Sequence, residues 1–256
     1  MPLGSDVRAL LVSSGKGGVG KSTVSIGTAM AMVDAGISVG LLDLDVRAPN
    51  LTYLLGIPDR CEIDDSGAPV PVAAAPGGRA MAVLSPAMIF RSGGSIITGG
   101  NAFRSLVLGL LGATAWPRLD WLVVDMDPAP GDSLRAVRDT VRDVCGVVVT
   151  TTDRTSLEDA RRMLDAFEGL GVGRAGVVGN MVGLKCHHCG ETIVDGGDPA
   201  GIEAVAREHG TRVVALLPWD AGLHTRPVEA ASGRFAETFR RIARAAVGAA
   251  SPAAVA

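Results

Sequence analysis

Lysine is nearly absent from this chain of 256 residues: of 24 basic side chains only Lys16, Lys21 and Lys185 are lysines, and the rest are arginines. A general preference for arginine is compositional, but the placement of the exceptions is informative. Two fall in one glycine-rich loop and the third adjoins a cysteine pair. A planar guanidinium does not substitute for a compact ammonium buried among phosphate oxygens. Cysteine is also scarce, at four residues, and in a cytosolic chain these are not expected to form structural disulfides. Long apolar runs are missing. None approaches the ~20 residues that span a bilayer, and no cationic leader precedes a hydrophobic stretch, so a cytoplasmic location without membrane attachment is expected. Excess positive charge is missing too, since a formal net charge of -3 gives no electrostatic basis for general nucleic-acid binding. No internal repeat is visible. The 47% hydrophobic content suffices for one large core, expected as a single domain over residues 1–247, with a small, polar-poor tail over 248–256 expected to be disordered.

Short β-branched or leucine-rich runs alternate with longer helical patterns. That alternation predicts an α/β fold, a doubly wound and mostly parallel sheet with helices on both faces. Strands are expected at Val7 to Ser13, Val39 to Asp43, Met81 to Leu84, Trp121 to Asp125, Val147 to Thr151, Ala175 to Asn180 and Val213 to Leu217. Helices are expected at Lys21 to Ala35, Ala102 to Gly112, Ser133 to Asp143, Ser156 to Gly169, Ile202 to His209 and Arg234 to Ala246. The Pro-, Ala-, Gly- and Asp-rich stretch Asp59 to Gly78 reads as an irregular excursion or a hairpin on the rim. The last helical pattern puts Phe235, Phe239, Ile242 and Ala246 on one side with arginines opposite. Packing on the sheet is its first reading and a membrane-surface helix its second.

The segment SSGKGGVGKST, Ser13 to Thr23, fits the phosphate-loop pattern G-x-x-x-x-G-K-[ST]. A polyphosphate needs backbone N–H groups turned inward around it, and Gly15, Gly17, Gly18 and Gly20, flanking Val19, permit conformations that a Cβ forbids. Lys21 is expected to reach the β- and γ-phosphates and the Ser22 hydroxyl to ligate Mg²⁺, with Thr23 behind it. A strand precedes the loop and a helix follows it, so the helix N-terminus faces the anion.

The strand ending in LLDLD places Asp43 and Asp45 at the carboxyl end of the sheet, where open α/β folds bind ligands. Alternation predicts both side chains on one face, with Asp43 in the Mg²⁺ shell and Asp45 orienting the attacking water. A pair of solvated or capping acids is the competing reading. Asp125 ends a second apolar strand, WLVVDMDPAPGD, and is expected to hold Mg²⁺, while Asp127 and Asp132 read first as solvated loop acids. In LKCHHCGE, Cys186 and Cys189 have the C-x-x-C spacing that lets two thiolates share a metal or cluster; a redox dithiol and an incidental pair remain open. His187 and His188 are the in-chain alternative for Zn²⁺. One chain supplies two good ligands where a closed site takes four, and a two-fold dimer meets that count. Cys145 opens an apolar strand and reads as a buried, inert thiol.

With these residues in hand, the chain resembles the Mrp/ApbC family of deviant-Walker-A P-loop ATPases, relatives of MinD and ParA that act as iron–sulfur cluster carriers or scaffolds. The resemblance rests on KGGVGKST (Lys16 to Thr23), the D-x-D segment with Pro49 and LLG (Leu54 to Gly56), VTTTDRTSLEDARR (Val149 to Arg162), GNM (Gly179 to Met181), CHHCG (Cys186 to Gly190) and LLPWD (Leu216 to Asp220). It implies a slow ATP hydrolase that is a face-to-face homodimer when ATP-bound, with Lys16 reaching the partner's nucleotide. It further implies a [4Fe-4S] cluster bridged by paired C-x-x-C motifs and transfer to apo iron–sulfur proteins. Asn180, Pro218 and Asp220 would then lie around the adenine. A Zn²⁺-bridged ATPase in protein targeting or chaperoning and a MinD/ParA-like positioning ATPase are the alternatives. The chain departs from the family pattern at Asp127, Ala129 and Pro130, where Pro, Gly and Thr are usual. It departs again at Arg47, Ala48 and Asn50, where a bulky residue, glycine and serine are common.

Overall fold

The computed structural model describes residues 3–76, 78–90, 101–129, 131–185, 188–189, 191–193 and 199–249. In chain order the elements are β1 (Arg8–Ser13), α1 (Lys21–Asp34), β2 (Val39–Asp43), α2 (Leu51–Leu55), β3 (Glu62–Ile63), β4 (Pro69–Val70), β5 (Val72–Ala74) and β6 (Met81–Leu84). A 3₁₀ turn at Pro86–Met88 precedes α3 (Asn101–Gly112), β7 (Trp121–Asp125), α4 (Asp132–Thr140), β8 (Asp143–Thr150), α5 (Arg154–Gly169) and β9 (Gly173–Gly179). The chain continues through β10 (Leu184–Lys185), β11 (Thr192–Ile193), α6 (Ala200–Glu208), β12 (Val213–Leu216), α7 (Ala221–Thr225), α8 (Pro227–Ser232) and α9 (Ala236–Ala249).

Eight strands form one sheet in the order β12-β9-β8-β1-β7-β2-β6-β5, parallel throughout except for the edge pair β5–β6. The doubly wound parallel sheet expected from the sequence is therefore present. Strands β2 and β7 are buried at every position, as sheets covered by helices on both faces require, and their sequences are accordingly near-continuous apolar runs. The register aligns Asp43 with Asp125 across β2 and β7, and Val12 with Asp125 across β1 and β7. The phosphate loop after β1 thus leaves the sheet beside both acidic strand ends, at the carboxyl edge.

Helix α9 lies against α1, with Phe239, Ile242 and Ala246 buried, so its apolar face belongs to the core. Burying a phenylalanine of this kind stabilises the fold by about 1.5–3 kcal/mol, and the packed reading of that helix holds over the membrane-surface one. Among the described residues no helix is long and apolar enough to cross a membrane.

Several boundaries differ from expectation. Helix α4 ends at Thr140 rather than Asp143, because Val141 is already extended (φ -108°, ψ 129°), and β8 starts at Asp143, whose carboxylate pairs with Arg8 of β1 at 3.4 Å. The excursion after Asp59 contains the antiparallel hairpin β3–β4, closed by the Asp64 carboxylate accepting from the backbone of Ser66 and Ala68, both at 2.9 Å. It then delivers β5 as the antiparallel edge of the main sheet. Helices α2, α7 and α8 are too short to leave a periodic signal. Helix α9 runs through Gly248 and Ala249, which were expected in the tail; the remainder of that tail lies outside the described residues.

Candidate nucleotide site

The phosphate loop is shaped by close approaches on its inner side and open on its outer side. A Cβ at Gly15 would collide with the backbone of Asp159 on α5, so only glycine lets the loop lie against that helix. Gly20, at φ 90°, is in the left-handed region and faces the side-chain amide of Asn180, leaving no room for a Cβ. The Asn180 amide donates to the Val19 carbonyl at 2.8 Å, and Val19 is itself buried. Nothing lies near the Cβ positions of Gly17 and Gly18, which are exposed and face a cleft of about 610 Å³. Lys21 is only 7% exposed, at the N-terminus of α1, where the helix dipole adds to its positive charge. Thr23 is buried and its hydroxyl donates to the Leu223 carbonyl at 3.4 Å.

The acidic residues separate into two layers. Asp125 is buried at the end of β7 and accepts from the hydroxyls of Ser22 and of Ser25, the latter at 3.1 Å. Burial pushes its carboxyl up to about 6, against the opposing pull of Ser22 and Lys21. Asp43 is fully buried, and the structure does not bring it into the cleft. Its oxygens accept from the Asp45 amide at 3.0 Å, the Ser85 hydroxyl at 3.0 Å and the Leu51 amide at 3.4 Å. Burial, reinforced by the neighbouring Asp125, raises its carboxyl well above the usual range. The shared face expected for Asp43 and Asp45 fails because alternation stops where the strand stops. Leu44 still donates to the Asp125 carbonyl at 2.8 Å, but Asp45 has entered the turn whose amide Asp43 caps.

Asp45 lines the cleft with Lys21, Ser22 and Asp127. Its carboxyl is raised by burial and drawn down by Lys21. Asp127 is raised by burial as well, accepts a hydrogen bond from Ser133 and feels the Asp45 charge. Far from being a solvated loop acid, Asp127 therefore adds a second carboxylate to the cleft. These groups fit a Mg²⁺–polyphosphate: a buried lysine, loop glycines lining the cleft, a serine hydroxyl hydrogen-bonded to a carboxylate, and oxygen donors of the hard kind that Mg²⁺ accepts while keeping several waters. Among the described residues no group of three or more His, Cys, Asp or Glu side chains is arranged to hold a metal ion.

The other expected site residues lie around this centre. Lys16 turns away from the cleft, donating to Asp153 at 2.8 Å and Thr155 at 2.9 Å at the start of α5; the Lys16 ammonium, then Thr155, hold the Asp153 carboxyl far below the usual range. Asn180 secures the loop from below. Pro218 is half-buried, and Asp220 caps α7 by accepting from the Leu223 amide at 3.1 Å while pairing with Arg234. None of these three lines the cleft. Cys189 is exposed in the connection between β10 and β11, a short antiparallel pair, with its thiol 3.9 Å from Glu191. Cys186 and His187 lie outside the described residues. Cys145 is buried with its thiol pushed up to about 12 by burial, matching the inert role expected of it.

Sequence reasoning missed Tyr53, Met181 and His224, which also line the cleft, and Ser25, whose hydroxyl supports Asp125. Ser25 sits one helical turn after Lys21, the spacing that would have disclosed it. Met181 has φ 58°, the one non-glycine residue with positive φ among those described, and nothing in its local sequence announces that strain.

A family model described as ParA, the NUBPL iron-transfer P-loop NTPases, matches residues 7–245. The chain is 36% identical over 210 residues to the iron-sulfur cluster carrier protein of Helicobacter pylori, a match covering 82% of this chain and 56% of that relative. It therefore spans little more than half of that protein's length. It is 35% identical over 188 residues to the cytosolic Fe-S cluster assembly factor Nubp2 homolog of Anopheles gambiae, covering 71% of each. Among solved structures, a nucleotide-binding protein in complex with ADP from Archaeoglobus fulgidus aligns with TM-score 0.69 and 24% identity over 96% of this chain and 89% of that one. The cell division ATPase MinD of Pyrococcus furiosus aligns with TM-score 0.63 and 18% identity over 93% and 97%. Those two share its fold. On the sequence matches, the chain belongs to the Mrp/ApbC, NUBPL-type family of iron-transfer P-loop NTPases.

Proposed function

We propose that this protein binds and slowly hydrolyses ATP as a homodimer, and that it carries a [4Fe-4S] cluster between the Cys186 and Cys189 pairs of two subunits for delivery to apo iron–sulfur proteins. The observation that carries this reading is the union, in one chain of this family, of a buried Lys21 beneath an open phosphate loop with an exposed Cys189 in a C-x-x-C motif. Loop amides and the Lys21 ammonium bind the phosphates and concentrate positive charge where negative charge builds up during phosphoryl transfer. Mg²⁺, held through Ser22 with Asp125 behind it, would neutralise β- and γ-phosphate oxygens. Asp45, half-buried at the cleft wall, orients the attacking water, with burial raising its carboxyl and Lys21 drawing it down. The chemistry needs no Ser, His or Cys nucleophile.

Lys16 is the residue that links hydrolysis to assembly in this reading. Its ammonium lies on the loop's outer rim, tethered to Asp153 and Thr155, and in the dimer it would exchange those partners for the other subunit's nucleotide. Lys16→Ala is then expected to spare nucleotide binding and to reduce hydrolysis.

The test is anaerobic reconstitution with iron and sulfide, followed by iron, sulfide and zinc analysis and by activation of an apo [4Fe-4S] enzyme. A brown protein with four irons per dimer that Cys186→Ser and Cys189→Ser abolish is the expected result. One tightly held Zn²⁺ per dimer, with no cluster acquired, would replace the carrier reading with the Zn²⁺-bridged ATPase. A protein that stays monomeric by light scattering with a non-hydrolysable ATP analogue would remove the dimer.

A further inference from the structure

The mouth of the nucleotide cleft carries a cation that the reading above leaves without a task. Arg47 lines the cleft opposite the phosphate loop and is exposed. Its position is fixed by the turn after β2. The Asp45 carboxylate accepts from the Ala48 amide at 3.2 Å and from the Arg47 amide, and the Ala48 amide also donates to the Asp45 carbonyl at 3.1 Å. The turn that sets Asp45 at the cleft wall therefore sets the Arg47 backbone beside it.

Among the described residues that line the cleft, Arg47 is the one arginine, and its guanidinium makes no ion pair with a described residue. Arg8, Arg104, Arg161, Arg174 and Arg240 each pair with a carboxylate within 4 Å. Arg47 makes no such pair with a described residue, although the charges of Asp45 and Asp127 both reach it. Asp127 also lines the cleft, two residues past the end of β7, the strand beside β2, with one hydrogen bond already taken from Ser133. A guanidinium with five donors thus lies in the field of two carboxylates, lining a space of about 610 Å³ that Lys21 and the loop glycines also line. Its planar fork matches two oxygens of one phosphoryl group, a geometry that an ammonium does not offer.

We propose that Arg47 is a specificity-determining residue for the terminal phosphate, engaging the γ-phosphoryl oxygens of a bound nucleoside triphosphate from the wall opposite Lys21 and so distinguishing triphosphate from diphosphate. The inference rests on the nucleotide-site reading above and assigns its far wall. The loop amides and Lys21 hold phosphates that ATP and ADP share, and Lys21 also reaches the γ-phosphate, whereas Arg47 reaches only what ADP lacks.

The experiment is calorimetric titration of the full chain with ADP and with a non-hydrolysable ATP analogue in Mg²⁺ buffer, for the wild type, Arg47→Ala and Arg47→Lys. Loss of a charge-assisted pair predicts that Arg47→Ala binds the analogue about 10- to 100-fold more weakly. ADP binding should stay within about twofold, because ADP makes no use of the fork. Arg47→Lys should fall between the two, restoring charge without the bidentate geometry. Hydrolysis by Arg47→Ala should show a lower kcat as well as a higher KM. Equal losses for both nucleotides, or no loss for either, overturn the inference while leaving the nucleotide site intact. A wild-type protein that binds neither nucleotide overturns the site reading together with it.

Discussion

The two walls of the nucleotide cleft are held in different ways. The phosphate-loop wall is over-determined: Gly15 abuts α5, Gly20 abuts Asn180, Asn180 grips the Val19 carbonyl and Lys21 is buried. The opposite wall, from Asp45 to Tyr53, is anchored by the Asp45 turn and the buried Asp43 beneath it, while Arg47, Asn50 and Tyr53 face solvent. A rigid wall suits what is common to every nucleotide state, because pre-organised amides need no rearrangement on binding. An exposed wall suits what changes between states, since few contacts must break for it to respond.

The largest expected effect comes from the rigid wall. Lys21→Ala should weaken binding of ADP and ATP analogues together, by about a thousandfold, since it removes charge-assisted bonds to phosphates present in both. Loss of ADP binding is the feature that separates it from Arg47→Ala, which spares ADP.

Next comes the acid beneath the loop, through pH. The folded chain holds the Asp125 proton more tightly than the unfolded chain, whose carboxyl titrates near 3.8, because burial raises the folded value to about 6. The stability this contributes is full below pH ~4 and is lost as pH rises through ~6. In nucleotide-free protein Asp125→Asn, which stays neutral, should therefore exceed the wild type by about 3 kcal/mol at pH 8, with the gap closing towards pH 4. Urea denaturation at pH 4, 6 and 8 measures it; a gap independent of pH would show that burial does not set this carboxyl.

Gly20→Ala should destabilise by about 1–3 kcal/mol, from left-handed strain and the Asn180 contact, as read by thermal melting. Tyr53→Ala, on the exposed wall and 85% exposed, should change stability by less than about 0.5 kcal/mol. If the last two effects were equal, the contrast between the walls would not be energetic.

Much of this was legible in advance, for physical reasons that stop at definite places. Runs such as LLVS and WLVV are unambiguous because a strand buried on both faces has no polar side to disguise it. The loop was legible because glycine and lysine there answer to one ligand chemistry. Asp43 and Asp45 were misjudged as a pair because the period-two rule holds only within a strand, and β2 ends at Asp43. Arg47 and Asp127 were noticed as departures from a family pattern, yet nothing local says that they share a cleft, since they follow different strands.

By itself, the order of residues determined the strand cores, the phosphate loop and the ammonium at its end, because each is specified by neighbours a few positions away. Only the tertiary structure decided which acid lines the cleft and which is sealed, that Asn180 braces a loop 161 positions earlier, and that Arg47 and Asp127 line one cleft. Those relations arise when β2 is laid beside β7 and β9 is brought within two strands of β1, and the order in which strands join a sheet is a property of the whole chain's packing.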